Sequence, residues 1–172
     1  MCIRQYDRKN WWFNETRTEF TASSTSTYAL PARFREMIHV EARFEGGAGS
    51  WTELEREDFH EIRRDLQYTA IGNPYSYAIY NESIVLDSVP SADTAIRLYH
   101  TRSLPISASG STAWTIDCFD LIRAAAAKTV ALRTLHDPDL ARLFADVEGT
   151  QYLRLAEENE RRITRGKATP WR

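Results

Sequence analysis

Between Met37 and Phe44 apolar and polar residues alternate, with Ile38, Val40, Ala42 and Phe44 on one side and His39, Glu41 and Arg43 on the other. A period of two predicts a half-buried strand. The same period returns from Thr94 to Arg102, where Ala95, Arg97 and Tyr99 oppose Ile96, Leu98 and His100. Between these stretches, Tyr75 to Tyr80 and Ser83 to Leu86 read as two short strands meeting across Asn81-Glu82. With the strand that follows the polar, Pro-containing break from Ser88 to Asp93, they predict a β-meander over Gly72 to Tyr99. Strands this short are not stable as an isolated hairpin, so the meander requires a partner sheet or helix. Upstream, EFTA and TYALP flank the polar spacer TASSTST and predict two paired strands, the second ended by Pro31. The run Gly46-Gly47-Ala48-Gly49 lacks the GK[ST] ending of a phosphate loop and reads as a hairpin loop leading to a strand near Trp51 to Leu54. Leu104-Pro105 closes the β region, and the Ser-rich residues 107–112 mark a boundary.

Elsewhere the spacing is helical. Phe59, Ile62 and Leu66 recur amid charges in Glu53 to Leu66 and predict a short surface helix. Residues 3–17 mix aromatics with charges and contain no Gly or Pro, compatible with a short helix burying Trp11 or Trp12. The double Trp has two readings, a core pair or a partner-binding anchor, and the core is the commoner fate. Trp114 to His136 is apolar on most sides, with four alanines from Ala124 to Ala127, which predicts one helix buried on more than one side, either the central helix of a bundle or a helix shared with a neighbouring subunit. Asp137-Pro138 then supplies an N-cap and a first-turn proline. The next helix runs to about Arg165, with Leu140, Leu143, Phe144, Val147, Tyr152, Leu155, Ala156 and Ile163 as its inner stripe and Gly149 as a weak point. The predicted fold is α+β and a single domain: an antiparallel β-block (meander, small sandwich or barrel; residues 19–106) inserted between an N-terminal helix (1–18) and a C-terminal antiparallel helical hairpin (113–165), with a basic tail at 166–172.

Composition narrows function by exclusion. The 172 residues are 42% hydrophobic and 12% aromatic, enough for one substantial core, and 22 basic against 24 acidic side chains leave a net charge of −2. No global field drives the chain onto nucleic acid or membrane. Cys2 and Cys118 are too few for a disulfide framework and belong to no metal-ligand pattern, so a reduced intracellular compartment is expected. The start MCIRQYDRKNWWF is polar where a signal peptide is apolar, and no run approaches the roughly 20 apolar residues of a membrane span. His60-Glu61 opens like HExxH, but Arg64 occupies the second His position, leaving Asp58, Glu61 and Asp65 as a solvated face. No catalytic, metal or cofactor constellation is predicted. The last twelve residues, RRITRGKATPWR, hold Arg161, Arg162, Arg165, Lys167 and Arg172 with no acid. They read either as a disordered end or as an arm that orders on a partner, with Trp171 as its anchor.

Taken in order, Leu30-Pro31 before a hydrophobic strand, Gly72 with Pro74 and Tyr77-Ala78-Ile79, Pro90 after the next strand, and Trp114 opening the Ala-rich helix resemble the head-to-tail adaptor proteins of tailed bacteriophages over about residues 11–165. The resemblance implies a structural virion protein at the head–tail junction, made in the host cytoplasm and not an enzyme. It further implies a closed ring of about twelve copies beneath the portal protein. Tail proteins (tail tube or nozzle) would bind below, DNA would pass through the lumen, and no cofactor or membrane would take part. Terminal extensions in such adaptors reach the portal, which makes Arg161, Arg162, Arg165, Lys167, Trp171 and Arg172 the implied partner-binding residues. The N-terminal helix is short for that family, so a helical bundle would be incomplete in the monomer. Another phage assembly protein, a stopper or tail-completion subunit, is the rival reading, and a small soluble enzyme the remote one.

Overall fold

The computed structural model describes residues 6, 9–44, 49–66, 71–104 and 112–166. The chain divides into two compact units: Glu15–Ser103 forms one, and Met1–Asn14 with Leu104–Arg172 forms the other.

The unit Glu15–Ser103 is built on nine strands, β1 (Glu15–Ala22), β2 (Thr27–Ala29), β3 (Phe34–Arg43), β4 (Thr52–Arg56), β5 (Ile71–Gly72), β6 (Ser76–Tyr80), β7 (Ser83–Leu86), β8 (Val89–Pro90) and β9 (Thr94–Arg102), with one helix, α1 (Phe59–Leu66). Seven strands make one sheet in the order β1-β9-β3-β4-β6-β7-β2. The two edges approach each other through the rings of Phe20 on β1 and Tyr28 on β2, 5.0 Å apart, so the sheet is nearly closed.

The predicted hairpin is present: β6 and β7 pair antiparallel from Tyr77↔Leu86 to Tyr80↔Ser83. Its turn residues Asn81 and Glu82 both have positive φ, 47° and 58°, the backbone that lets a two-residue loop follow the strand twist. The meander is corrected. The third strand, β9, leaves β7 and pairs with β1 and β3 on the far side of the sheet. The wholly antiparallel block is corrected as well: β4 and β6 run parallel, Glu55↔Ser76 and Arg56↔Tyr77, because α1 lies between them in sequence and carries the chain back to start β6 in the same direction. The segments EFTA and TYALP do not pair with each other; β1 pairs with β9, and β2 with β7.

The two-residue period held in β9, where Thr94, Ile96, Leu98 and His100 are buried. In β3 it slips. Val40 and Ala42 point inward as expected, but Met37 is buried and Ile38 is 49% exposed, because register shifts interrupt the β3–β9 ladder between Phe34 and Glu36 and between Met37 and His39. An extra residue in one strand reverses the facing of everything before it. The core inside this sheet gathers Met37, Val40, Leu54, Tyr77, Ile84, Leu86, Ile96 and Leu98. Ala78 and Val85 face the other way and pack with Ile62 and Phe59 of α1. Apolar side chains on both faces explain why YAI and IVL are continuous rather than alternating. The helix starts at Phe59, later than its predicted Glu53, since Thr52–Arg56 is spent on β4.

In the other unit Trp12–Asn14 forms a 3₁₀ turn, and strand β1 follows at once, so the helix expected over 1–18 is corrected for its last residues. Tyr6 is helical, and the rest of the first eight residues lie outside the described set. The helix expected from Trp114 to His136 is two, α2 (Ala113–Ile116) and α3 (Phe119–Arg133). Thr112 and Thr115 cap α2 reciprocally, side chain to backbone in both directions, and the chain leaves helical geometry at Cys118, φ −119° and ψ 18°. After α3, His136 takes φ 52° and the Asp137 N–H returns to the Ala131 carbonyl at 3.0 Å, a left-handed helix end. Asp137 then caps α4 (Pro138–Gly166) as predicted: its Oδ1 accepts from the N–H groups of Asp139 (3.1 Å) and Leu140 (2.9 Å). Helix α4 runs through Gly149 unbroken, and a Cβ there would meet no atom within 4 Å.

Candidate interaction surfaces

The helical unit is centred on aromatic rings. Trp11 is fully buried, edge-on to Trp114 at 6.2 Å and to Tyr152 at 6.0 Å, with Phe13 stacked at 6.1 Å. Its indole N–H donates to the Tyr6 carbonyl at 2.8 Å. The double Trp thus divides: Trp11 is core, while Trp12 is half-buried and lines a surface groove. Asn159, buried in the middle of a charged helix, clamps this segment, accepting from the Trp12 N–H at 2.9 Å and donating to the Asn10 carbonyl at 3.2 Å.

A second polar cluster joins the ends of the chain. Glu148 on α4 is 8% exposed, and its carboxylate takes both the Tyr6 hydroxyl and the Lys128 ammonium. With Ala145, Gly149 and Tyr152 these residues line a depression of about 400 Å³. A buried carboxylate is tolerated only when paired and hydrogen-bonded, which is the state of Glu148. Neither Glu148 nor Asn159 stood out in the sequence, because among the many charges of α4 both read as solvated positions, and their burial depends on residues far away in the chain.

The described part of the predicted partner-binding set is more engaged than its sequence suggested. Arg162 is 2.7 Å from Glu158 and lies over the Trp12 ring at 4.4 Å; Arg161 lies 3.9 Å from Glu157. Both acids are four residues upstream on the same helix face, a pairing that a window confined to the last twelve residues cannot show. The backbone of Arg165 lies in the last turn of α4; its side chain and the residues Lys167, Trp171 and Arg172 lie outside the described set.

Arg162 borders a groove of about 260 Å³ between the α2–α3 junction and α4, lined by Trp12, Ile116, Asp117, Cys118, Phe119, Asp120, Arg154 and Glu158, among others. Cys118 is buried, and burial, aided by Asp117, pushes its thiol up to about 12, so it packs in the protonated form.

Of the helix expected to be buried on more than one side, by a bundle or by a neighbouring subunit, the described residues of this chain cover one side. Helix α3 buries one side only, Leu121, Ala124, Ala125 and Ala131, because α4 is the neighbour it packs on. Among the described residues eight large apolar side chains on α2–α4 and the turn after α3 are exposed: Ile116, Phe119, Val130, Leu132, Leu135, Leu143, Val147 and Leu153. Leu143 and Val147, placed on the inner stripe from their spacing, are 58% and 41% exposed. Two helices give each other one face each; the apolar pattern had counted on a further neighbour.

The sheet unit carries a charged outer patch instead. Arg97 on β9 reaches Glu19 on β1 at 2.7 Å and Glu41 on β3 at 3.3 Å, and its guanidinium covers the Trp51 ring at 3.7 Å. The hydrogen bond from Arg97 holds the Glu19 carboxyl below its ordinary range, with the charges of Arg97, Arg17 and Arg43 adding to it and desolvation opposing. His39 stacks on Tyr99 at 4.1 Å alongside.

Among the described residues no group of three or more His, Cys, Asp or Glu stands close enough to hold a metal ion, and no helix is long and apolar enough to cross a membrane. A family model described as SU10 adaptor protein matches residues 1–171, and no curated protein gives a significant match. The chain belongs to that family, a family of phage head–tail adaptors.

Proposed function

From that membership, a phage structural adaptor of the virion, we propose that the protein forms a closed ring beneath the portal and joins the head to the tail. About twelve copies would make the ring, tail tube or nozzle proteins would bind below it, and DNA would pass through its lumen. The observation that carries the reading is the uncovered apolar surface of the helices. A ring is closed by a heterologous contact in which each copy offers two different surfaces, and the eight exposed large apolar side chains of the helical unit are surface that such a contact would cover. A net charge of −2 suits a lumen through which DNA slides, since every neutralised phosphate would add grip and salt dependence. The basic end, from Arg161 and Arg162 through Arg165 and Lys167 to Trp171 and Arg172, is the arm we assign to the portal.

The test is to mix the purified chain with portal rings and image the product. The expected outcome is a closed ring seated on the portal, and its loss when residues 167–172 are removed would place the arm at the contact. Binding to tail tube without any association with portal would overturn the proposal in favour of a stopper or tail-completion subunit.

A further inference from the structure

We propose that the groove between the α2–α3 junction and α4 is the docking site of the chain's own residues 167–172, occupied before any portal is met. At about 260 Å³ it is smaller than the roughly 300–1,000 Å³ of small-molecule sites and suits a single anchoring side chain. Its apolar part is uncovered: Ile116 is 65% and Phe119 55% exposed. Its charged lining is Asp117, Asp120 and Glu158 with Arg154 and Arg162. Glu158 already holds Arg162 at 2.7 Å and Asp120 holds Arg123 at 3.2 Å, which leaves Asp117 as the acid beside the apolar part whose ion pair is not already made on the groove wall. The occupant this arrangement fits is an aromatic ring against Ile116 and Phe119 with a cation beside it for Asp117.

Residues 167–172, KATPWR, have that composition: one ring, Trp171, next to Arg172, with Lys167 four residues before. They are also placed to arrive. Helix α4 ends at Gly166, the residue type that most readily lets a chain reverse at a helix end. Glu158 in the groove wall is eight residues back, about 12 Å along the axis, and the five residues from 167 to 171 span about 17 Å when extended. Because the tether holds the ring at millimolar effective concentration, a weak contact is enough to keep it docked.

The docking does not depend on the portal reading, and its measurement needs no portal. The full chain is labelled with 5-fluorotryptophan and the Trp171 resonance is assigned from the Trp171→Phe variant. In the wild type that resonance is expected away from the position of a free indole, at every protein concentration. Phe119→Asp, a surface substitution, is expected to return it to the free position while the Trp11 and Trp114 resonances stay, and Asp117→Lys to move it part of the way. An identical Trp171 resonance in wild type and Phe119→Asp would overturn the proposal. So would a resonance that reaches its displaced position only at high concentration, since the groove would then be taking the end of a second copy.

Discussion

The two units solve the same problem, burying aromatic and aliphatic side chains in a small volume, with different completeness. The sheet unit wraps a nearly closed surface around its apolar set and covers the outer side of β6 and β7 with α1. Among its described residues only Ile38, Ile71, Tyr75 and Tyr80 are large, apolar and exposed. The helical unit centres on Trp11 and Trp114, also buries Glu148 and Asn159, and among its described residues leaves twice as many large apolar side chains exposed. A sheet that curls on itself supplies its own second layer, whereas a pair of helices has two remaining faces and nothing to put on them. Most of the exposed large apolar side chains among the described residues therefore fall on the helical unit.

The strongest way to break this contrast is to damage each core in turn. Trp11→Ala removes the buried ring on which Phe13, Trp114 and Tyr152 converge, and about 3–5 kcal/mol of stability should go with it. Leu98→Ala, in the fully buried centre of β9, should cost about 2–5 kcal/mol. Hydrogen exchange read segment by segment separates the two. Trp11→Ala is expected to lower protection in α3 and α4 and Leu98→Ala in β1, β3 and β9. Equal loss in both units from either variant would mean one cooperative body, and the contrast would fall.

What was legible in the sequence follows the same division. Strand β9, the β6–β7 hairpin and the Asp137 cap were readable because their signals are local: an alternation, a two-residue turn, an Asx-Pro pair. The bulge in β3 was not, since it is fixed by the register against β9, some sixty residues away. Nor was the parallel β4–β6 pair, which depends on where α1 returns the chain. In the candidate surfaces, the cations of the basic end were visible but the acids that hold Arg161 and Arg162 lay just upstream of the window. Glu148 reads as a surface charge until Tyr6 and Lys128 close on it. Spacing identified Leu143 and Val147 as apolar positions of α4; it could not say that they are 58% and 41% exposed among the described residues.

A smaller effect sharpens the difference in how the two units hold charge. Lys128→Met keeps the aliphatic stem but removes the ammonium from Glu148, leaving a carboxylate that is 8% exposed with the Tyr6 hydroxyl. A buried acceptor stripped of a charged partner costs about 1–3 kcal/mol, and urea unfolding followed on the helical signal should show it. The double variant Lys128→Met with Glu148→Leu should recover most of the loss, because an apolar pair of similar shape carries no unmet charge. A single variant as stable as the wild type would mean that water already satisfies Glu148, and that this unit is no drier there than the sheet's outer patch.

The smallest effect is expected at that outer patch, where the sign of its pH dependence is fixed by the direction of one shift. Glu19 has its folded carboxyl held below the unfolded value of about 4.3, first by the hydrogen bond from Arg97. A lowered folded value means the contribution is fully present above the unfolded value and is lost as pH falls through the folded one. Arg97→Gln should therefore destabilise the sheet unit at pH 7 by a modest amount, since Glu19 is nearly half exposed and exposed pairs are screened. The gap between variant and wild type should narrow as the pH drops below about 4. Unfolding curves at neutral and acid pH measure it directly. A gap of constant size would mean that Arg97 acts through its stacking on Trp51, which does not titrate, and the patch would then be a packed lid on the sheet rather than a charged one.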